Sequence, residues 1–167
     1  MKDIIIERLE ERGVKLKAVA DIVYTLQKPY SENLSIDECL ESVHKVLEKR
    51  EVQYTLLTGI ALDKLTEKGH IEEPLSSIIK SDEPLYGVDE SLALAIANIY
   101  GTIGFTSFGY LDKNKFGIME KLDTNHDKVN TFLDDLVAGI ASAASARIAH
   151  QKRNEKEAKM KEEKEVS

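Results

Sequence analysis

Apolar residues recur along the chain at spacings of three and four, with no strong alternating run, so the pattern predicts helices throughout. A first helix is expected over Lys2–Glu11, ended by Gly13, and a second over Leu16–Gln27, stopping at Pro29. Ser35 with Glu38 three residues on has the form of a capping box and opens a third. Its stripe of Ile36, Cys39, Leu40, Val43, Val46 and Leu47 continues through Val52, Leu56, Ile60 and Leu65 towards Gly69. One long helix, kinked near Thr58–Gly59, is the expectation there. A short helix over Leu75–Lys80 leads into SDEPLYGVDE, where Pro84 and Gly87 mark a loop. Ser91–Leu111 carries no charge and reads as one buried core helix, followed by one or two turns in LDKNKFGIMEKLD. The last helix is expected to start near His126–Val129 and to run to about Glu165.

That last helix is unusual on all its sides. In FLDDLVAGIASAASARIA, Phe132, Leu133, Leu136, Val137 and Ile140 form an apolar stripe, while Ala138, Gly139, Ala141, Ser142, Ser145 and Ala146 fill the other faces. A helix apolar or small all round is surrounded by neighbours, and small residues let those neighbours come close. The expected fold is all-α: a single-domain helical bundle with a buried, small-residue-rich central helix pair. Residues 1–150 form the helical domain, and 151–167 a charged C-terminal helix extension or tail.

Length and charge narrow the function. With 167 residues the chain can bury a sizeable core, and its net charge of −7 argues against nucleic-acid binding and against electrostatic adhesion to anionic lipid. Cys39 is the single cysteine, so no internal disulfide forms. MKDIIIERLEERG is too short an apolar run for a secretory signal, and the expected location is cytoplasmic.

The acids carry the chemistry. Asp123, Asn125 and Asp127 follow the start of a calcium loop, but Lys128 stands where that loop needs glycine and Asp134 where it needs glutamate. A second arrangement fits better. Asp134 and Asp135 lie in the last charge-poor helix, and Asp89 and Glu90 at the head of the other. A buried carboxylate is costly unless it is paired, protonated or bound to a cation, and Mg²⁺ suits carboxylate and water oxygens. Asp89 and Glu90 also have a simpler reading, as first-turn acids offsetting the helix macrodipole. For the Asp134–Asp135 pair, expected inside its helix, capping is a poor account.

Taken in order, Asp82, the Asp89–Glu90 pair in DEPLYGVDE, LDKNKFGIMEKLD and FLDDLVAGIASA resemble the phosphatidylglycerophosphatase A family. The match runs from Asp82 to about Ala149. KREVQYTLLTGIALD and GYLDK are similar to signatures of a soluble all-helical branch of that family from Gram-positive bacteria. The resemblance implies a Mg²⁺-dependent phosphomonoester hydrolase that removes the terminal phosphate of phosphatidylglycerophosphate to give phosphatidylglycerol. It implies Asp89, Glu90, Asp134 and Asp135 as catalytic groups, and these four with Asp82, Asp112 and Asp123 as metal ligands or their orienters. Lys115 and Arg50 are candidates for holding the substrate phosphate. The family's N-terminal segment rich in Gly, Pro, Ser and Thr has no counterpart here, so two other readings stay open. One is a phosphatase of a soluble phosphomonoester, the other a non-catalytic helical metal- or phosphate-binding protein. Expected partners are a phosphorylated lipid or small phosphomonoester and a transient contact with the inner face of the membrane, with a homo-oligomer compatible with the small-residue faces.

Overall fold

In a computed structural model, which describes residues 1–125 and 127–165, the predicted helical periodicity is realised as α1 (Lys2–Glu11), α2 (Leu16–Gln27), α3 (Ile36–Leu47), α4 (Arg50–Glu67), α5 (Leu75–Lys80), α6 (Val88–Ala97), α7 (Thr102–Lys113), α8 (Ile118–Asp123) and α9 (Leu133–Glu165). Among the described residues there is no strand. The Ser35 capping box forms as expected: Ser35 Oγ accepts from the Glu38 amide, and the Glu38 carboxylate accepts from the Ser35 amide. His126 lies outside the described residues.

Helix α9 is the axis of the fold. Every residue from Asn130 to Ala146 is buried, and α2, α3, α6 and α7 pack around the helix. Small side chains set the distances. A Cβ built on Gly139 would lie 2.8 Å from the Ala93 carbonyl oxygen, so α6 crosses α9 almost backbone to backbone. Ser42 on α3 donates its hydroxyl to the Ala144 carbonyl at 2.9 Å, a second close crossing. Beyond His150 the helix continues as a largely exposed, charged extension.

Three expectations are corrected. The long third helix is two helices. Lys49 is extended (φ −77°, ψ 130°), and Gln53 Nε2 donates to the Leu47 carbonyl at 2.8 Å, closing α3 from within α4. Gly59 is no kink but a close contact, where a Cβ would meet Leu136 Cδ1 at 2.5 Å. The uncharged segment is likewise broken into α6 and α7. At the corner Gly101 has φ 85° and ψ −160°, a backbone that favours glycine. The partner of α9 in the core is therefore a bent pair of helices rather than one.

The third correction concerns the start of α9, at Leu133 rather than near His126–Val129. The preceding residues have found other partners. The Val129 amide donates to Glu67 at 2.9 Å, Asn130 Nδ2 to the Leu122 carbonyl at 3.0 Å, and Thr131 Oγ1 to the Ile79 carbonyl at 2.6 Å. Asp134 and Asp135 consequently lie in the first turn of α9, not inside the helix.

Two glycine substitutions should separate packing from propensity. Gly109 has nothing within 4 Å of a built Cβ, so Gly109→Ala should stabilise by ~0.5–1 kcal/mol through helix propensity. Gly139→Ala gains the same propensity but forces α6 from α9, at ~1–3 kcal/mol of overpacking. Urea melts should show the first variant above wild type and the second below it.

Candidate functional site

The site begins with the amides that open α9. The N-terminus of a helix leaves its first N–H groups without intrahelical partners, and here it is buried away from water. Asp63 on α4, fully buried, answers two of them: Oδ1 accepts from the Phe132 amide at 3.1 Å and Oδ2 from the Leu133 amide at 3.0 Å. Burial pushes the Asp63 carboxyl up to about 8, against the pull of those two donors and of Arg12. Arg12, buried at the end of α1, donates to the Val129 carbonyl at 2.5 Å and to Asn130 Oδ1 at 2.9 Å, and pairs with Glu67 at 2.7 Å. Tyr86 packs edge-on against Phe132, ring centroids 5.9 Å apart, fastening the loop before α6 to the same point.

Held there, the N-terminal ends of α6 and α9 face each other. One carboxylate oxygen each from Asp89, Glu90 and Asp135 lie within 4.8 Å of one another. Asp89 and Asp135 are buried and Glu90 partly so. Burial raises the Asp135 carboxyl to about 9, with the charges of Asp134 and Asp89 adding to it. Glu90 rises too, through burial and then Asp89. Asp89 Oδ1 is buried with no hydrogen-bond partner.

Asp134 is placed differently. Its Oδ1 accepts from the Asp135 amide at 2.9 Å and its Oδ2 takes the Lys115 ammonium at 2.5 Å. Lys115, in the loop after α7, also reaches Asp123 Oδ1 at 3.1 Å. Burial opposes the charged form of this lysine, but Asp134 and Asp123 raise its pKa above the ordinary value. Asp134 is itself raised, because burial outweighs Lys115. Asp82, exposed and at φ 49°, lines a cavity of about 560 Å³ together with Asp123 and Asp134. Asp112, half-buried on α7, adds its charge to those on Asp135 and Glu90.

The seven acids singled out in the sequence and Lys115 thus converge on one end of the bundle. Arg50 does not. It is exposed at the first position of α4, ~20 Å along the helix axis from Asp63 at 1.5 Å per residue. A larger groove of about 870 Å³, mainly apolar, lies between the end of α2, α7 and the outer part of α9 and contains none of these acids. The smaller cavity is the acid-lined one, with Asp82, Asp123 and Asp134 on its walls.

Sequence reasoning missed Asp63, Arg12, Glu67 and Asn130, which position the site. Asp63 left a signal: it continues the buried stripe Leu56, Ile60, Asp63, Thr66, a carboxylate where an apolar residue belongs.

The three-carboxylate corner fits a hard divalent cation. Its donors are all oxygens, they come from two helices at ligand-like separation, and one buried oxygen has no other partner.

The family described as Phosphatidylglycerophosphatase A matches residues 5–150. The Bacillus subtilis proteins YpjQ and YutG, both described as uncharacterized, are 51% and 52% identical, covering 90% and 88% of this chain and 85% and 89% of their own lengths. A solved structure of a protein of unknown function from Bacillus stearothermophilus superimposes with a TM-score of 0.88 at 55% identity, over 90% of this chain and 94% of that one. The low temperature requirement C protein from Listeria monocytogenes gives 0.88 at 51% identity, over 91% and 96%. The chain belongs to the phosphatidylglycerophosphatase A family.

Proposed function

We propose that the protein is a Mg²⁺-dependent phosphomonoester hydrolase that releases the terminal phosphate of phosphatidylglycerophosphate and leaves phosphatidylglycerol. The observation that carries this reading is the buried corner of Asp89, Glu90 and Asp135, with its unpartnered Asp89 oxygen, in a chain of this family.

Asp89, Glu90 and Asp135 would hold the ion. When bound, Mg²⁺ supplies positive charge for the phosphoryl oxygens as charge develops on them. The residues do the rest. Two helix N-termini point their positive ends at the corner, which favours an anionic group there. Asp112 crowds the ligand set with further negative charge and sharpens its preference for a cation. Asp134, engaged by Lys115 and by the Asp135 amide, sits beside the cavity through which a phosphoester would approach, as does Lys115, whose ammonium is a point charge suited to phosphate. Asp82 and Asp123 line that cavity and orient what enters. A soluble phosphomonoester is the second reading, favoured by the walls of the cavity, where Lys80, Asp82, Asp123, Asn125 and Lys128 present polar groups. Among the described residues no helix is long and apolar enough to cross a membrane, so a lipid substrate would be met at the membrane surface.

Phosphate release from short-chain phosphatidylglycerophosphate should require Mg²⁺ and fall ~10²–10⁴-fold in Asp134→Asn and in Asp135→Asn, the range for loss of one group acting in the transition state. Turnover of glycerol phosphate but not of the lipid would move the substrate to the soluble class; turnover unchanged in both variants would exclude this site.

The raised carboxyls give a pH dependence with a definite sign. Without metal the folded protein binds a proton at Asp135 that the unfolded chain, with an ordinary aspartate near 4, has already lost. Stability from this group is complete below pH ~4 and is lost as pH rises towards about 9. The metal-free melting midpoint should therefore fall over that window, less steeply in Asp135→Asn. The rise in midpoint on adding Mg²⁺, which competes with the proton, should grow with pH and vanish in the variant.

A further inference from the structure

The acids divide into two groups by what already occupies them. Asp134 has both oxygens engaged, and its neighbour across the cavity, Asp123, shares the same Lys115 ammonium at 3.1 Å. Asp82 lines that half as well. The other half is Asp89, Glu90 and Asp135. Among the described residues none of these three is paired with a lysine or arginine, and Asp89 Oδ1 is buried without a partner. One half of the centre thus carries a cation that belongs to the protein, and the other does not.

The geometry of α9 produces this split. Successive residues on a helix are turned by ~100°. Asp134 and Asp135, adjacent in the first turn, therefore look in different directions: one towards Lys115, the other towards α6. In hydrolases that use two metals, the ions lie ~3.5–4 Å apart and clamp the reacting group from two sides. Resting on the metal-dependent reading above, we infer that Lys115 stands in the place of a second cation, so that the centre takes a single divalent ion, at Asp89, Glu90 and Asp135. A tethered ammonium provides a fixed positive charge beside Asp123 and Asp134. It needs no octahedron of oxygens, which Mg²⁺ demands. Lys115 is well placed for this, its side chain 24% exposed and held by acids from α8 and α9.

Ion counting tests the assignment without recourse to activity. Mn²⁺, a paramagnetic stand-in for Mg²⁺, is titrated into the full chain, and the free ion is read by electron paramagnetic resonance. The wild type should bind one ion, lost in Asp135→Asn. Lys115→Met should bind a second, and the double variant with Asp123→Asn should return to one. Lys115→Arg, which keeps the charge, should stay at one. Circular dichroism melts of each variant establish that it folds, with Lys115→Gln taking the place of Lys115→Met where needed. Two ions on the wild type, or one ion on folded Lys115→Met and Lys115→Gln, overturn the inference while leaving the metal reading intact. No ion on the wild type overturns the metal reading itself.

Discussion

A single buried carboxylate decides where the central helix begins. Asp63 reaches from α4 to the Phe132 and Leu133 amides, which otherwise have neither helical carbonyls nor water to bond. Leaving a buried donor unsatisfied costs ~1–3 kcal/mol, so this contact fixes both the axial position and the rotation of α9. Rotation matters most. A shift of one residue in the starting point would turn Asp134 and Asp135 by ~100° and exchange what they face. The cradle formed by Arg12, Glu67 and Asn130 enforces the same starting point from the other side.

What that placement creates is electrostatically unfavourable on its own. Acids in the first turn of a helix gain ~0.3–1 kcal/mol each from the macrodipole. Burying unpaired ionised carboxylates costs several kcal/mol per ion. The dipoles of α6 and α9 therefore cannot compensate three carboxylates within 4.8 Å of one another. A proton or a cation must supply the difference, and the raised carboxyls of Asp135 and Glu90 express the first alternative. The packing offers no escape. Gly139 brings α6 against α9 so closely that the acid-bearing ends cannot separate without opening the core.

Much of the fold was legible because the apolar spacing is helical and the punctuation is ordinary. Pro29, the Ser35 box and Gly13 mark their boundaries in one dimension. The breaks after Leu47 and at Gly101 were not legible, since the apolar register continues across both. What interrupts it is tertiary: Gln53 closing α3, and the corner that lets α6 and α7 both lie on α9. The candidate acids could be read from the two charge-poor helices and the family pattern. Their partition between Lys115 and the open corner could not, because it depends on which way each first-turn residue turns. Asp63 hid for a related reason: its partners lie 69 and 70 residues away in sequence. Arg50 shows the converse error, a charged residue at a suggestive position whose helix carries it to the far end.

The centrality of α9 also bears on how the molecule comes into being. The helices that surround it all precede it in the chain, yet none of them has its completed core face until it arrives. During synthesis α2, α3, α6 and α7 emerge with apolar surfaces awaiting a common partner, and Asp63 precedes the two amides its carboxylate will receive. Docking of α9 supplies both the missing side of the hydrophobic interior and the Asp135 that the acidic corner needs. The acidic corner therefore belongs to the closed fold alone, because without α9 in place Asp135 is not beside Asp89 and Glu90.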